Sequence, residues 1–242
     1  MVWFRDGHPV SGPVFQAKRE DAGRYYCAVL GQERLRSASV VLNVHYAPRK
    51  VSLSVSPSAV VVKGSSVTLT CSSDANPPVT QSGYSLFKDG HFISSGPFHN
   101  ISDIQPSHSG LYSCHAWNNI SRRGIELFNS TELHLDVQYG PMNMSVLMDP
   151  PQVTEGSSVN MTCSSSANPA AENYTWYKRI ESPSSSLLLQ VGSGWVLSLP
   201  SVEASHTGLY LCQAGNTVGE NTSTEVLLSM TAQKQGLCHD SL

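Results

Sequence analysis

The sequence predicts an all-β protein built from tandem antiparallel β-sandwiches, and three observations support this prediction. A seven-residue block that ends in Tyr-x-Cys occurs three times, at residues 21–27, 108–114 and 206–212. A further cysteine precedes each of the later two blocks, at Cys71 and Cys163. Between turn residues, many segments alternate apolar and polar side chains, which is the period of strands buried on one face.

The repeated block is typical of a tyrosine corner. Its tyrosine stands two residues before the cysteine, so both side chains point to one face of a strand. The cysteine can then bridge to a facing sheet, while the tyrosine hydroxyl bonds back to the corner backbone. We therefore predict tandem immunoglobulin-like sandwiches, with tyrosine corners at Tyr25, Tyr112 and Tyr210. The number of residues that separates the cysteines of successive blocks is close to the ~100 residues that such a domain occupies.

Four segments follow from the repeat. Residues 1–46 are predicted to be a partial domain with strands C to G only, because nothing before Trp3 could form the first two strands. Residues 47–139 and 140–231 are predicted to be complete immunoglobulin-like domains. Residues 232–242 have no periodicity, and we expect a disordered tail.

The strands can be assigned in order. In the first segment, Trp3 begins strand C, residues 36–44 form the last strand, and residues 45–48 form a short junction. The strands predicted for the second segment are residues 51–56, 66–72, 85–88, 98–101, 111–117 and 132–137. The third segment repeats the second, with a longer loop around residues 184–186 and a strand over residues 195–199.

The matched spacing predicts disulfides Cys71–Cys114 and Cys163–Cys212. Trp3 and Trp176 occupy the place of the tryptophan that packs on such a bridge, whereas Leu86 stands there in the second segment. Cys27 and Cys238 are left over, and we expect both to be unpaired. Redox chemistry or metal binding is the disfavoured alternative, because no cysteine pair has the short spacing that either needs.

Asn-x-Ser/Thr acceptors point to a secretory route, because glycosylation and disulfides both belong to that compartment. There are seven of these acceptors: Asn100, Asn119, Asn129, Asn143, Asn160, Asn173 and Asn221. The first residues do not form the apolar core of a signal peptide, and no run of about 18 apolar residues suggests a membrane span. The simplest expectation is a fragment of a longer receptor, on the extracellular side of the plasma membrane.

Other function classes have little support. The formal net charge is −3 and charged residues make up 14%, so no basic surface for nucleic acid is expected. No catalytic serine motif or phosphate-binding loop occurs, so we expect no catalysis and no cofactor. His108 and His206 could act as pH switches, but solvated turn residues are the favoured interpretation. Trp117 could anchor a partner, but packing on its own sheet is favoured.

The sequence also resembles a known family. The blocks 70–78, 84–90 and 174–178 are similar to the C2-type domains of the sialic-acid-binding immunoglobulin-like lectins (Siglecs). They are most similar to the inhibitory member found on B cells. The junctions Tyr46-Ala47-Pro48-Arg49 and Tyr139-Gly140-Pro141 resemble the seams between domains of that receptor.

The resemblance implies a type I membrane receptor whose outermost domain binds sialylated glycans through an arginine one residue after the second cysteine. Ala28, His115 and Gln213 hold that position here, so the lectin activity is not expected in this segment. The leading hypothesis is a stalk of an adhesion and inhibitory receptor that provides spacing and contacts cell-surface proteins or sialylated glycoproteins. A sialic-acid-binding module in its own right and a soluble protein-binding decoy are the alternatives.

Overall fold

The computed structural model describes residues 1–12, 16–121, 128–182 and 185–231, and β-strands form most of this part of the chain. The all-β prediction is confirmed. Two compact units are present: unit 1 comprises Met1–Ala59, Ser66–Ser102 and Ser109–Leu135, and unit 2 comprises Val60–Ser65, Asp103–His108 and the chain from Asp136. In the described residues, no helix has the length and apolar character that crossing a membrane requires.

The described strands are, in chain order, β1 (Val2–Arg5), β2 (His8–Val10), β3 (Gly23–Val29), β4 (Gln32–Arg36), β5 (Val40–Leu42), β6 (Tyr46–Ser56), β7 (Val60–Val62), β8 (Val67–Asn76), β9 (Tyr84–Lys88), β10 (His91–Ser95), β11 (Phe98–Ile101), β12 (Gly110–Ala116), β13 (Phe128–Asn129), β14 (Leu133–Asp149), β15 (Val159–Asn168), β16 (Asn173–Ser182), β17 (Ser185–Ser193), β18 (Val196–Leu199), β19 (Gly208–Gly215), β20 (Glu220–Thr222) and β21 (Val226–Leu228). Short 3-10 turns lie at Arg19–Asp21, Gln81–Gly83, Pro106–His108 and Ala204–His206.

Unit 1 contains one sheet from the first segment and two from the second. The first sheet has the order β2-β1-β3-β4, with β5 also paired to β3. The second has the order β10-β9-β12, and β12 continues to β13 and to the first residues of β14. The third has the order β11-β8-β6. Leu69 and Leu86 are each 1% exposed, as expected for inward residues of facing sheets.

Unit 2 pairs β7 with β14, β14 with β15, and β15 with β18. Its other sheet has the order β17-β16-β19-β20, with β21 also on β19. The core between these sheets is apolar and includes Val159, Met161, Trp176, Tyr210 and Leu228. The alternation of apolar and polar residues along β15 contributes to this apolar core, because Val159, Met161 and Cys163 face inward while Asn160 faces outward.

The predicted last strand of the first segment, residues 36–44, is wrong in extent. The structure ends β4 at Arg36 and begins β5 at Val40. The break has a local cause, because the Ser37 Oγ accepts a hydrogen bond from the Cys27 N–H at 3.1 Å. The Ser37 N–H in turn donates to the Cys27 carbonyl at 2.9 Å. A side chain thus replaces one backbone acceptor of the ladder.

Two predicted loops overlap strands of the structure. The loop expected around residues 184–186 is wrong for Ser185 and Ser186, which belong to β17, while residue 184 lies outside the described residues. β17 pairs with β16 from Ser193 and Thr175 to Ser185 and Ser182, with one register shift between Trp176 and Tyr177. The junction expected at residues 45–48 lies mostly inside β6, which begins at Tyr46. The proline in β6 is accommodated because the β6–β8 register shifts between Tyr46 and Arg49, and prolines occur in strands at such irregularities.

Candidate functional site: outer faces and domain junctions

The structure places the predicted cysteines in two bridges. Cys71 is bonded to Cys114, with Cα atoms 6.0 Å apart, and Cys163 is bonded to Cys212, with Cα atoms 6.2 Å apart. Cys27 is half-buried and free. Cys238 and the rest of residues 232–242, predicted as a disordered tail, lie outside the described residues.

The two predicted core tryptophans differ in their burial. Trp176 is fully buried beside its disulfide, and its indole N–H donates to the Gly194 carbonyl at 2.9 Å. Trp3 pairs in register with Cys27 but is only half-buried. The core position of Trp3 stays a prediction, because the described part of residues 1–46 supplies one sheet and a sandwich core needs two facing sheets.

The predicted tyrosine corners at Tyr25 and Tyr210 share one arrangement of hydrogen bonds. The Tyr25 hydroxyl donates to the Asp21 carbonyl at 2.7 Å, and the Tyr210 hydroxyl donates to the His206 carbonyl at 2.8 Å. The Asp21 carboxylate accepts from the Lys18 N–H at 2.8 Å, and the His206 Nδ1 likewise accepts from a backbone N–H three residues before it. Burial, and secondarily the charge of Asp89, raise the pKa of Tyr112 to about 12.

The corner histidines therefore substitute for an aspartate as hydrogen-bond acceptors. The His206 Nδ1 accepts from the Glu203 N–H at 2.9 Å, and the His108 Nδ1 accepts from the Gln105 N–H at 2.8 Å. The acceptor role requires an unprotonated Nδ1. This shared role explains why a histidine and an aspartate can hold the same position of the repeat.

The position after each second cysteine bears on glycan binding. Ala28 is 2% exposed, His115 is half-buried, and the Gln213 amide donates to Glu220 at 2.7 Å while its oxygen accepts from the Tyr177 hydroxyl at 3.1 Å. None of these three side chains is a guanidinium that could pair with a carboxylate. These positions give no support to sialic-acid recognition.

One outer face of unit 1 carries a row of aromatic rings. The ring of Phe87 stacks on the imidazole of His115, with centroids 4.1 Å apart, and meets the edge of Phe92 at 5.9 Å. We call Phe87, Phe92 and His115 the aromatic row. Burial lowers the pKa of His115. Phe92 is 59% exposed, so the row presents apolar surface to solvent.

The edge strand β17 in unit 2 also exposes apolar side chains. Leu187, Leu188 and Leu189 are 63%, 43% and 47% exposed, and β17 is the terminal strand of its sheet. Its residues carry no charge. Uncharged apolar edge strands favour pairing with another chain, so this edge is a candidate protein-contact surface.

All seven predicted glycosylation acceptors are exposed. Asn129 stands in register opposite His115. Asn221 stands opposite the buried Ala214, and its side-chain amide donates to the Pro141 carbonyl at 3.1 Å. The acceptors thus differ in surroundings although their sequence motifs are alike.

Two asparagines that sequence reasoning missed each hold together distant residues of one unit. The Asn118 side-chain amide donates to the carbonyls of Tyr46 and Pro77 at 3.0 and 2.9 Å. The Asn216 amide donates to the carbonyls of Tyr139 and Pro169 at 2.9 and 2.7 Å. We call Asn118 and Asn216 the clamp asparagines.

A sequence signal for the clamps exists, because both lie in a Cys-x-Ala-x-Asn motif, at residues 114–118 and 212–216. The Asn216 Oδ1 also accepts from the N–H groups of Val218 and Gly219, at 2.9 and 3.0 Å. Both ends of the amide are therefore engaged at once. One side chain fixes the strand that enters the sandwich and the turn that follows β19.

Comparisons with known proteins agree with this architecture. The family model for the immunoglobulin domain matches residues 50–135 and 143–230. The B-cell receptor CD22 of Mus musculus is 32% identical over 207 residues, which are 84% of this chain and 22% of that protein. Hemicentin-1 of Homo sapiens is 31% identical over 247 residues, with 91% of this chain and 4% of that protein covered.

A solved structure of similar fold is the full ectodomain of mouse nectin-like molecule 4, with a TM-score of 0.63 and 22% identity, covering 90% of this chain and 76% of that one. The chain spans about a fifth of the receptor and a much smaller share of hemicentin-1. The two matched ranges contain the bonded pairs Cys71–Cys114 and Cys163–Cys212. The chain belongs to the immunoglobulin domain family.

Proposed function

We propose that this chain is an extracellular segment of a cell-surface adhesion or inhibitory receptor of the Siglec kind, and that it provides spacing and protein contact without catalysis. The observation that carries the proposal is the pair of clamp asparagines, each of which ties distant strands of one unit together. A segment that sets distance needs units that keep their shape, and each clamp asparagine ties an entering strand to the sandwich of its own unit.

The strand β14 supports the same interpretation. It continues through residues 139–140, where the boundary between the second and third segments is predicted. Next to it, a β-carbon on Gly140 would lie 3.2 Å from the Gly219 Cα, so the two backbones are in close contact. Asn168 adds two further bonds, to the Asp136 carboxylate at 2.7 Å and the Val137 carbonyl at 2.9 Å.

The partner class that we propose is a cell-surface protein or sialylated glycoprotein bound by the whole receptor. Similarity to a B-cell receptor and the resemblance to the Siglecs support this class. The exposed leucines of β17 offer a surface for protein contact. A lectin activity of this segment is not proposed, because Ala28, His115 and Gln213 lack the guanidinium that the family uses.

The test measures a distance within unit 2, between strands on either side of the boundary predicted at residues 139–140. Spin labels are placed at Val62 on β7 and Ser198 on β18, with Cys27 and Cys238 replaced by serine. Both labelled positions are exposed and belong to unit 2. We expect one narrow distance distribution in the parent chain and a broader one in Asn216→Ala, because that change removes both donated bonds of the clamp.

The control is Thr217→Ala, an exposed neighbour of the clamp that should leave the distribution narrow. A parent distribution as broad as that of Asn216→Ala would contradict the spacing role.

A further inference from the structure

We propose that Asn129 carries an N-linked glycan whose first sugars lie on the aromatic row of Phe87, Phe92 and His115. The inference goes beyond the proposed function, because it assigns a covering to one face of unit 1. It rests on the proposed extracellular location only in that glycosylation requires the secretory route.

Strand register places the acceptor beside the rings. Asn129 pairs with His115 across β13 and β12, and Ser113 pairs with Phe87 across β12 and β9. Since His115 and Ser113 are two residues apart, all four side chains share one face. Directly opposite residues have β-carbons about 4.5–5.5 Å apart, so a sugar attached to Asn129 begins within contact distance of the imidazole.

The row suits the C–H-rich face of a hexose. The Phe87 and His115 rings stack face to face, with an interplanar angle of 29° and centroids 4.1 Å apart, so each ring covers one face of the other. Because β12 lies between β9 and β13, the imidazole face turned away from Phe87 lies on the Asn129 side and offers an apolar surface to a sugar. Aromatic faces carry negative charge density and attract the positive edges of C–H groups. Phe92 extends the surface away from Asn129 along the same face.

Attachment itself is a balanced group transfer. A bond forms between the Asn129 Nδ2 and the anomeric carbon of an oligosaccharide carried on a polyprenyl diphosphate. The bond between that carbon and the diphosphate oxygen breaks, the lipid diphosphate leaves, and the amide nitrogen loses one proton to solvent. The required hydroxyl is that of Thr131, which is exposed two residues after Asn129.

Asn221 provides a matched contrast within the chain. It follows the corresponding cysteine on a strand paired to β19, but the register differs by one residue, so Thr222 stands opposite Gln213 and Asn221 opposite Ala214. A one-residue shift moves a side chain to the other face of a sheet. A glycan on Asn221 therefore does not meet the equivalent face.

The experiment uses the full chain, secreted from cells with an added signal peptide and trimmed to one N-acetylglucosamine per site. Mass spectrometry of peptides measures occupancy at Asn129 and the rate at which diethyl pyrocarbonate modifies His115. We expect Asn129 to be occupied and His115 to react several-fold more slowly in the parent chain than in Thr131→Ala. The exposed His8 should react equally in both, and Asn221→Gln should leave the His115 rate unchanged.

Enzymatic removal of the glycan from the folded parent chain should raise the His115 rate to the same level, which separates shielding from any folding defect of Thr131→Ala. Equal His115 rates with and without the glycan would overturn the inference. An unmodified Asn129 on a chain that carries sugar at other acceptors would also overturn it. Absence of sugar at all seven acceptors would instead contradict the extracellular location.

Discussion

Replacing Ser223 by alanine tests the hydrogen bond that each repeat makes beside its second cysteine. The Ser223 Oγ accepts from the Cys212 N–H at 3.0 Å, and its own N–H donates to the Cys212 carbonyl at 2.8 Å. Cys212 is 0% exposed and Ser223 is 8% exposed. Alanine keeps the second bond but leaves a buried N–H without its acceptor, which costs about 1–3 kcal/mol. We therefore expect the free energy of opening around β19 to fall by about 2 kcal/mol.

The assay is native-state hydrogen exchange on the full chain, read by mass spectrometry from peptides that cover β19. Thr224→Ala is the surface control and should change the opening free energy by less than about 0.5 kcal/mol. Ser37→Ala removes the corresponding bond at an exposed site, so its local effect should lie below that of Ser223→Ala. A loss below about 0.5 kcal/mol for Ser223→Ala would show that water or a relaxed backbone satisfies the Cys212 N–H.

Three further outcomes are expected. Burial lowers the pKa of His115. The stability associated with its neutral form is therefore present above its ordinary pKa of 6.5 and is lost as the pH falls below it. In urea unfolding, the difference in the free energy of unfolding between pH 7 and pH 5 should be smaller for His115→Gln than for the parent chain. Gly83→Ala would place a β-carbon 2.5 Å from the Trp117 carbonyl oxygen, so thermal melting should show a loss of about 1–3 kcal/mol, and an unchanged melting temperature would contradict this contact. Replacing both Cys163 and Cys212 by alanine opens a 49-residue span, so the free energy of unfolding should fall by about 4 kcal/mol.

The sequence predicts best where one local pattern carries the structural requirement. The Tyr-x-Cys block predicts a strand with two inward side chains, and β12 and β19 show this at Tyr112 with Cys114 and at Tyr210 with Cys212. Trp3 has the same local pattern as Trp176 but a different environment. Burial depends on a facing sheet, which the local pattern of β1 does not specify.

Long-range polar contacts were missed for a related reason. Asn216 reaches Tyr139 and Pro169, and Asn118 reaches Tyr46. Asparagine in a polar segment after a strand ordinarily indicates a turn, and both clamps do bond to turns. Only the fold shows that the same side chains also hold a distant strand, so composition and spacing alone suggest a surface loop.

Register separates two acceptors that the sequence treats as equal. Asn129 and Asn221 both lie in Asn-x-Ser/Thr motifs that follow a Tyr-x-Cys block. Because β13 pairs Asn129 with His115 whereas β20 pairs Thr222 with Gln213, the two asparagines point to opposite faces of their sheets. The consequence is functional: we expect a glycan on Asn129 to cover the aromatic row of unit 1, whereas the leucines of β17 in unit 2 stay available for protein contact. One residue of register therefore decides that Asn129 stands beside the outer residue His115, whereas Asn221 stands beside the buried Ala214.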